Sequence, residues 1–269
     1  MAKTYAVVYT EKRRDAYEAA QHVKRVLELR GVDVRIYGAS EIVDKKLPEE
    51  VSLVIALGGD GTILKTIGAI PNSSIPVLGV NFGRGGFLAE ADAKDLNQAL
   101  ERILLGEYKI ERIMMLSIEA NSEKLGNFLN EAYIGSKIMG KTLSFRILRD
   151  GVELAEGLAD ALIISTPVGS TAYAFSAGGP IVDDELEAAI LTPVCPISNL
   201  RPMVLSVRHR LAIKVSADYG ISIMLDGYSL KEIDEKRVVI KVERSGCSAS
   251  FIRLGEYGGF VRRVRKKLG

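Results

Sequence analysis

Asp60 stands inside a glycine turn, Gly58-Gly59-Asp60-Gly61-Thr62, which follows an apolar run at 53–57 and opens onto a helix-like stretch at 62–67. Strand, glycine loop and helix start form the arrangement that lets backbone N–H groups approach phosphate oxygens. Gly58, Gly59 and Gly61 lack the Cβ atoms that would block such an approach, and they permit positive φ. A carboxylate beside a phosphate cradle repels the ligand unless it accepts a proton or positions a divalent cation. The alternative is a tight turn in which Asp60 caps the following helix.

Other polar groupings add to this one. A second glycine turn, Asn81-Phe82-Gly83-Arg84-Gly85-Gly86-Phe87-Leu88, follows the apolar stretch 75–80. Asn130-Glu131 interrupts an apolar strand read over 128–134, where neighbours point to opposite faces. Either one of the two finds a buried partner, such as a ribose hydroxyl, or the strand ends there near water. The segment 160–180, from Asp160 through Thr171-Ala172-Tyr173-Ala174-Phe175-Ser176 to Pro180, is dense in hydroxyls and glycine. It offers no nucleophile–base pair, so it suits binding of a polar, flat ligand better than serine hydrolysis. Residues 135–142 satisfy the Walker A pattern G-x-x-x-x-G-K-[ST]. That loop needs a helix after it, and 143–148 alternates like a strand, so the match is accidental. Lys141 remains as an isolated cation for a ligand phosphate or amide.

Hydrophobic period places strands at 4–10, 34–37, 51–57 and 75–80, with helices at 13–30 and 93–105. This alternation predicts a parallel sheet whose ligands sit outside the carboxyl ends of the strands, where both glycine turns fall. After Gly106, period-two stretches dominate at 114–120, 128–134, 143–148, 161–165, 211–215, 221–225 and 238–242. Turns at Asp150-Gly151 and Asp226-Gly227 separate several of them, and one helical interlude is expected near 171–189. The fold class is α/β: an N-terminal Rossmann-like domain with a parallel sheet (1–108), then a β-rich domain (109–249). A cleft between them would be the natural ligand site.

With 47% hydrophobic and 26% charged residues in 269, a soluble globular protein is the expectation. A net charge of +2 argues against nucleic acid as a partner. No secretory signal or membrane-length apolar run is read, so a cytoplasmic location without membrane contact is expected. Cys195 and Cys247 form no metal cluster and read as small buried residues. His22 and His209 are far apart in sequence, and no metal-ligating set is expected. The basic run 262–267 reads as a solvated tail, with contact to a phosphate-rich ligand as the minority reading.

Taken in order, these motifs resemble the NAD kinase family along most of the chain. The resemblance rests on Gly58 to Thr62, Asn81 to Leu88, Asn130-Glu131, the long motif from Asp160 to Pro180, Cys195-Pro196-Ile197-Ser198, Arg201-Pro202-Met203-Val204-Leu205, and Asp226-Gly227. The glycine–aspartate turn alone is shared with diacylglycerol-type lipid kinases; the full series is far more specific. Tyr228 stands where many members carry glutamine, and Leu88 where some carry an aromatic.

The resemblance implies an ATP-type or polyphosphate donor, Mg²⁺ or another divalent cation, and phosphorylation of the adenosine ribose 2′-hydroxyl of NAD to give NADP. It implies that Asp60 handles the hydroxyl proton and that Gly58, Gly59, Gly61 and Thr62 admit donor phosphates. Phe87 would pack on adenine, and Asn130 and Glu131 would hold adenosine and ribose hydroxyls. Asp160, Thr171 to Ser176 and Asp226 would fix the rest of the dinucleotide, with Lys65 and Lys141 as phosphate-side cations. It further implies that 250–269 return to the first domain and that the protein is a homo-oligomer, a dimer or tetramer. A lipid kinase and a non-catalytic dinucleotide sensor are the competing readings; a sensor has no need of Asp60.

Overall fold

The computed structural model describes residues 3–43, 45–83, 85–255 and 259–268. Arg84 of the second glycine turn, and the side chains of Arg262, Arg263 and Lys266 in the basic run, lie outside the described residues. The chain forms two compact units, one from Met1–Ile113 with Cys247–Gly269, the other from Met114–Gly246.

The first unit begins β1 (Thr4–Tyr9), α1 (Arg14–Glu28), β2 (Asp33–Gly38), β3 (Val51–Gly58), α2 (Asp60–Ala69), β4 (Val77–Asn81), β5 (Ala91–Asp92) and α3 (Leu96–Leu105). Strands pair in the order β4-β3-β1-β2, and every pair is parallel, as the alternation predicts. β3 is apolar almost throughout because helices cover a parallel sheet on both faces. Its core takes Val7, Leu53, Ile55, Leu57 and Leu78, with Val23 and Leu27 of α1 and Leu100 of α3. Gly31 and Gly106 follow helices at φ 77° and 74°, the left-handed position at which helices commonly end.

The second unit is β-rich. The chain enters it within β6 (Lys109–Ala120) and continues through β7 (Glu123–Phe128), β8 (Glu131–Ser136), β9 (Leu143–Arg149), β10 (Val152–Ala159), β11 (Ala161–Ser165) and the one-turn helix α4 (Tyr173–Ser176). There follow β12 (Ala188–Val194), β13 (Met203–Ser206), β14 (Leu211–Ser216), β15 (Ile221–Leu225), β16 (Ser229–Ile233) and β17 (Arg237–Arg253). Antiparallel β10-β9-β14-β17 and antiparallel β13-β12-β11-β8-β15-β16 bury a shared core of Phe128, Ile134, Phe145, Leu162, Ile213, Ile223 and Ile240. Period-two patterning thus reports strands with one buried face. Beyond β17, whose Phe251 pairs in parallel with Val77 of β4, α5 (Gly259–Leu268) closes the chain.

Several expectations are corrected. The helical interlude at 171–189 shrinks to a 3₁₀ turn at Val168–Thr171 and α4; Gly178, at φ 87°, breaks the helix, and 188–194 is strand β12. The strand read over 128–134 is broken at Leu129 and Asn130. Cys195 and Cys247 are exposed, not buried. His22 bonds Asn97 at 2.7 Å and His209 bonds Asp150 at 2.7 Å, so each histidine has its own partner. Among the described residues, no helix is long and apolar enough to cross a membrane.

Candidate functional site

In the first unit the two glycine turns are tied together through Asp60. Gly59, extended at φ −87° and ψ −174°, is the N-cap of α2 and gives no side-chain cap bond. Asp60, the first helical residue, faces the second turn: Oδ2 accepts the Phe87 N–H at 3.1 Å and Oδ1 accepts the Leu88 N–H at 2.9 Å. Capping of α2 by Asp60 is therefore not its role. The second turn is further held by Asn81, whose Oδ1 accepts the Gly83 N–H at 2.9 Å, and by the Phe82 N–H bonded to the Gly58 carbonyl at 3.0 Å. Gly86 sits at φ 73° against the Asn81 side chain.

The glycines of the first turn divide by cause. None of the three has positive φ, contrary to the expectation. A Cβ on Gly58 would lie 2.3 Å from the Thr62 hydroxyl oxygen, so Gly58 makes room for α2. Gly59 and Gly61 face open space. Thr62 is buried and its N–H bonds Gly59, whereas Lys65 is half-exposed. The N–H groups of Asp60 and Gly61 are the orphan donors of a helix start, next to an open surface.

In the second unit the organising residue is Asp226. It is buried, stands at φ 49°, and with Gly227 at φ 71° turns the chain from β15 into β16. Its carboxylate accepts three successive backbone N–H groups: Leu129 at 2.8 Å, Asn130 at 2.7 Å and Glu131 at 3.2 Å. Those bonds draw 129–130 out of the strand ladder, so β8 begins only at Glu131. Asn130 is thus both at a strand end and buried, which joins the two alternatives read from sequence.

Burial pushes the Glu131 carboxyl up to about 7, with the Asp226 charge adding to the rise and the Tyr173 N–H opposing it. Burial also pushes Asp226 up, to about 6, against the pull of its three N–H donors. Those donors favour the ionised form of Asp226, so the proton of the pair resides on Glu131. Glu131 Oε2 is buried with no hydrogen-bond partner. A folded Glu131 binds a proton between its ordinary value of 4.5 and about 7, while the unfolded chain does not, so stability falls as pH rises through that window. Asp226 has the same sign between 3.8 and about 6. Glu131→Gln is expected to flatten the upper part of this slope, from about pH 6 to 7, in thermal melts across pH; an unchanged slope would contradict the assignment.

The segment after β11 packs beneath Asn130. Thr166 N–H bonds the Asn130 carbonyl at 2.9 Å, and a Cβ on Gly169 would lie 2.0 Å from that same oxygen. Gly169→Ala is expected to cost about 1–3 kcal/mol or more in denaturant unfolding, because backbone must move; a loss below about 1 kcal/mol would show that the contact yields. Thr171 and Ala174 are buried, with the Thr171 hydroxyl bonded to the Val168 carbonyl at 3.2 Å. Ala172 and Phe175 are half-exposed, and Ser176 and Asp160 are exposed.

Tyr173 stacks on Tyr133, ring centroids 6.0 Å apart and planes 6° from parallel. Tyr133 was not singled out from sequence, although it lies two residues beyond Glu131 and so on the same face of β8. Burial first, then Tyr173 and Asp160, raise its phenol above the usual value. Lys141 lies apart from this group, its ammonium 5.6 Å from the Tyr219 ring centroid. The segment 135–142 leads from β8 into β9 with no helix, in line with rejection of the Walker A match.

A helix start with two orphan N–H groups beside a fixed carboxylate in the first unit, and polar and aromatic groups gathered on the β scaffold of the second, are the parts that a nucleotide-dependent phosphotransferase requires. The ATP-NAD kinase N-terminal domain model matches residues 2–108 and the ATP-NAD kinase C-terminal domain model matches 129–254. The NAD kinase of Methanothermobacter thermautotrophicus is 38% identical over 94% of this chain and 92% of its own. That of Methanopyrus kandleri is 34% identical over the same shares. The crystal structure of an NAD kinase from Archaeoglobus fulgidus in complex with ATP has a TM-score of 0.78 at 26% identity, covering 98% of this chain and 99% of that one. Yeast NADH kinase complexed with NADH shares the fold, with a TM-score of 0.86 at 24% identity over 100% of this chain and 88% of that one. The chain belongs to the NAD kinase family.

Proposed function

We propose that this protein transfers the terminal phosphoryl group of ATP to the 2′-hydroxyl of the adenosine ribose of NAD, giving NADP. The observation that carries the reading is the Asp60 carboxylate, held by two backbone N–H groups at the start of α2. Each oxygen keeps a lone pair after those bonds. Asp60 receives the proton of the attacking hydroxyl; the new O–P bond forms as the bond to the bridging oxygen breaks, and ADP leaves. The N–H groups of Asp60 and Gly61 and the open faces of Gly59 and Gly61 suit the donor phosphates.

A divalent cation fits this donor set as a substrate-borne ion, since Mg²⁺ is commonly held by one or two carboxylates plus phosphates. Asp60 is the carboxylate for it, and among the described residues no cluster of three acidic, histidine or cysteine groups offers a cage. When bound, the ion neutralises charge on the transferring group. Asn130 and Glu131 hold adenosine and ribose hydroxyls, with the unpartnered Glu131 Oε2 as one receiving atom. Tyr133 and Tyr173 give the flat contact, Asp160 and the residues 171–176 the remaining polar ones, and Lys65 serves as a phosphate-side cation; Lys141, set apart against Tyr219, has no part in this arrangement. Residues 109–249 act as the dinucleotide-binding part, and the protein works as a cytoplasmic homo-oligomer.

The test is NADP formation from NAD, ATP and Mg²⁺, repeated with inorganic polyphosphate in place of ATP. No NADP from the folded protein with either donor would sink the reading; turnover with polyphosphate as well would widen the donor class.

A further inference from the structure

The parallel sheet of the first unit reverses its winding between β1 and β3. From β1 the chain passes through α1 to β2, and from β3 through α2 to β4, in the strand order β4-β3-β1-β2. Nucleotides settle outside the carboxyl ends of the strands at such a point. The Asp60 turn, at the end of β3, is one side of it. The end of β1 is the other side and has no part in the chemistry above. There the Thr10 N–H bonds the Leu57 carbonyl at 3.0 Å, and Glu11 leaves the sheet beside the start of the glycine turn.

Glu11 is exposed, yet its carboxylate is held in place. Oε1 accepts the Ser40 N–H at 2.9 Å and also the Ser40 hydroxyl. A Cβ on Gly38 would collide with that oxygen, so β2 ends in glycine to admit it. Glu41, the other carboxylate at this end, turns back to accept the Gly38 N–H at 2.9 Å. Burial raises the pKa of Glu11, but the Ser40 donors, its own N–H and the Lys65 charge outweigh that and keep the carboxyl below its ordinary value. A fixed anion thus stands within electrostatic reach of Lys65, the cation assigned above to phosphates. An anion near phosphates repels the ligand unless the ligand also donates hydrogen bonds to it. In a nucleoside triphosphate the ribose hydroxyls follow directly on the phosphates and can donate; an ionised polyphosphate chain has no such donor. A carboxylate offers about four acceptor positions, and Ser40 with the Glu11 N–H leaves room for a further donor. We propose that Glu11 binds the ribose of the phosphoryl donor, so that this site selects a ribonucleoside triphosphate. The proposal deepens the kinase reading and rests on it for the identity of the ligand at the Asp60 turn.

The test is calorimetric titration of wild type, Glu11→Ala and Glu11→Gln with Mg–ATP and with Mg–2′,3′-dideoxy-ATP, beside melting temperatures. Wild type is expected to bind ATP about tenfold more tightly than the dideoxy analogue, the worth of one charge-assisted hydrogen bond. Glu11→Ala is expected to lose about that factor for ATP and little for the analogue, so that the two bind within about twofold of each other. Glu11→Gln, which keeps a neutral acceptor, should fall between. If Glu11→Ala does not fold, the same ratio in Glu11→Gln decides. Equal binding of both nucleotides by wild type would overturn the proposal, as would ATP affinity of Glu11→Ala within about twofold of wild type. Equal losses for both nucleotides in Glu11→Ala would also overturn it, in favour of a structural role at the Ser40 turn. A wild type that shows the expected ratios yet makes no NADP would sink the kinase reading and leave the Glu11 assignment standing; one that takes up no ATP overturns both.

Discussion

Asp60→Asn is expected to lower NADP formation by about 10²–10⁴-fold, the usual worth of a positioned acid–base group. Asparagine removes the charge that accepts the hydroxyl proton. It also turns one end of the side chain into a donor, which then opposes either the Phe87 or the Leu88 N–H now bound by the carboxylate. Leaving one such group unpaired costs about 1–3 kcal/mol. Loss of activity should therefore come with a modest drop in melting temperature and weaker ATP binding, as the second glycine turn loosens. Steady-state rates, melts and ATP titrations on the same preparation separate the effects. Turnover within about tenfold of wild type would remove Asp60 from the proton-handling role.

Asp226→Ala is expected to destabilise the protein by several kcal/mol, about 1–3 for each of three stranded N–H groups, less what is regained by no longer burying a charge. Alanine is also strained at the φ of 49° found here, whereas asparagine tolerates that region. Asp226→Asn should thus be the milder variant, and both should weaken NAD binding because Asn130 and Glu131 lose their anchor. Denaturant unfolding and NAD titration are the measurements. Full affinity in a folded Asp226→Ala protein would show that the 129–131 segment holds its shape without the carboxylate.

The α/β class, the parallel sheet of the first unit and the location of the glycine turns were legible because strands covered on both faces are apolar and glycine punctuates their ends, whereas the strand order was not. Period two likewise revealed the one-sided strands of the second unit. The 171–189 segment was misread because its small and apolar residues satisfy a helical period, while the break at Gly178 and the buried strand at 188–194 are decided by packing. Short edge strands such as 203–206 and 229–233 carry too few residues to show a period. The polar residues of the candidate site were visible as residue types. Their couplings were not, because Asp60 with 87–88 and Asp226 with 129–131 are contacts across sequence distance. The segment 160–180 read as a glycine-rich binding surface, and at Gly169 the requirement for glycine comes instead from packing, since its absent Cβ would lie 2.0 Å from the Asn130 carbonyl oxygen.

Ile252 belongs to the core of the first unit, and Phe251 of the same segment pairs with Val77. During synthesis the N-terminal part of that unit must therefore wait for the ribosome to pass through the whole of 114–246 before its last core residues exist. At about 5–20 residues per second that delay is on the order of ten seconds. The second unit, continuous in the chain, can close first. The usual vectorial order is thus reversed: the unit that is synthesised first finishes folding last, and the Val77 end of β4, which β5 leaves unpaired, is the part that a nascent-chain chaperone would have reason to cover.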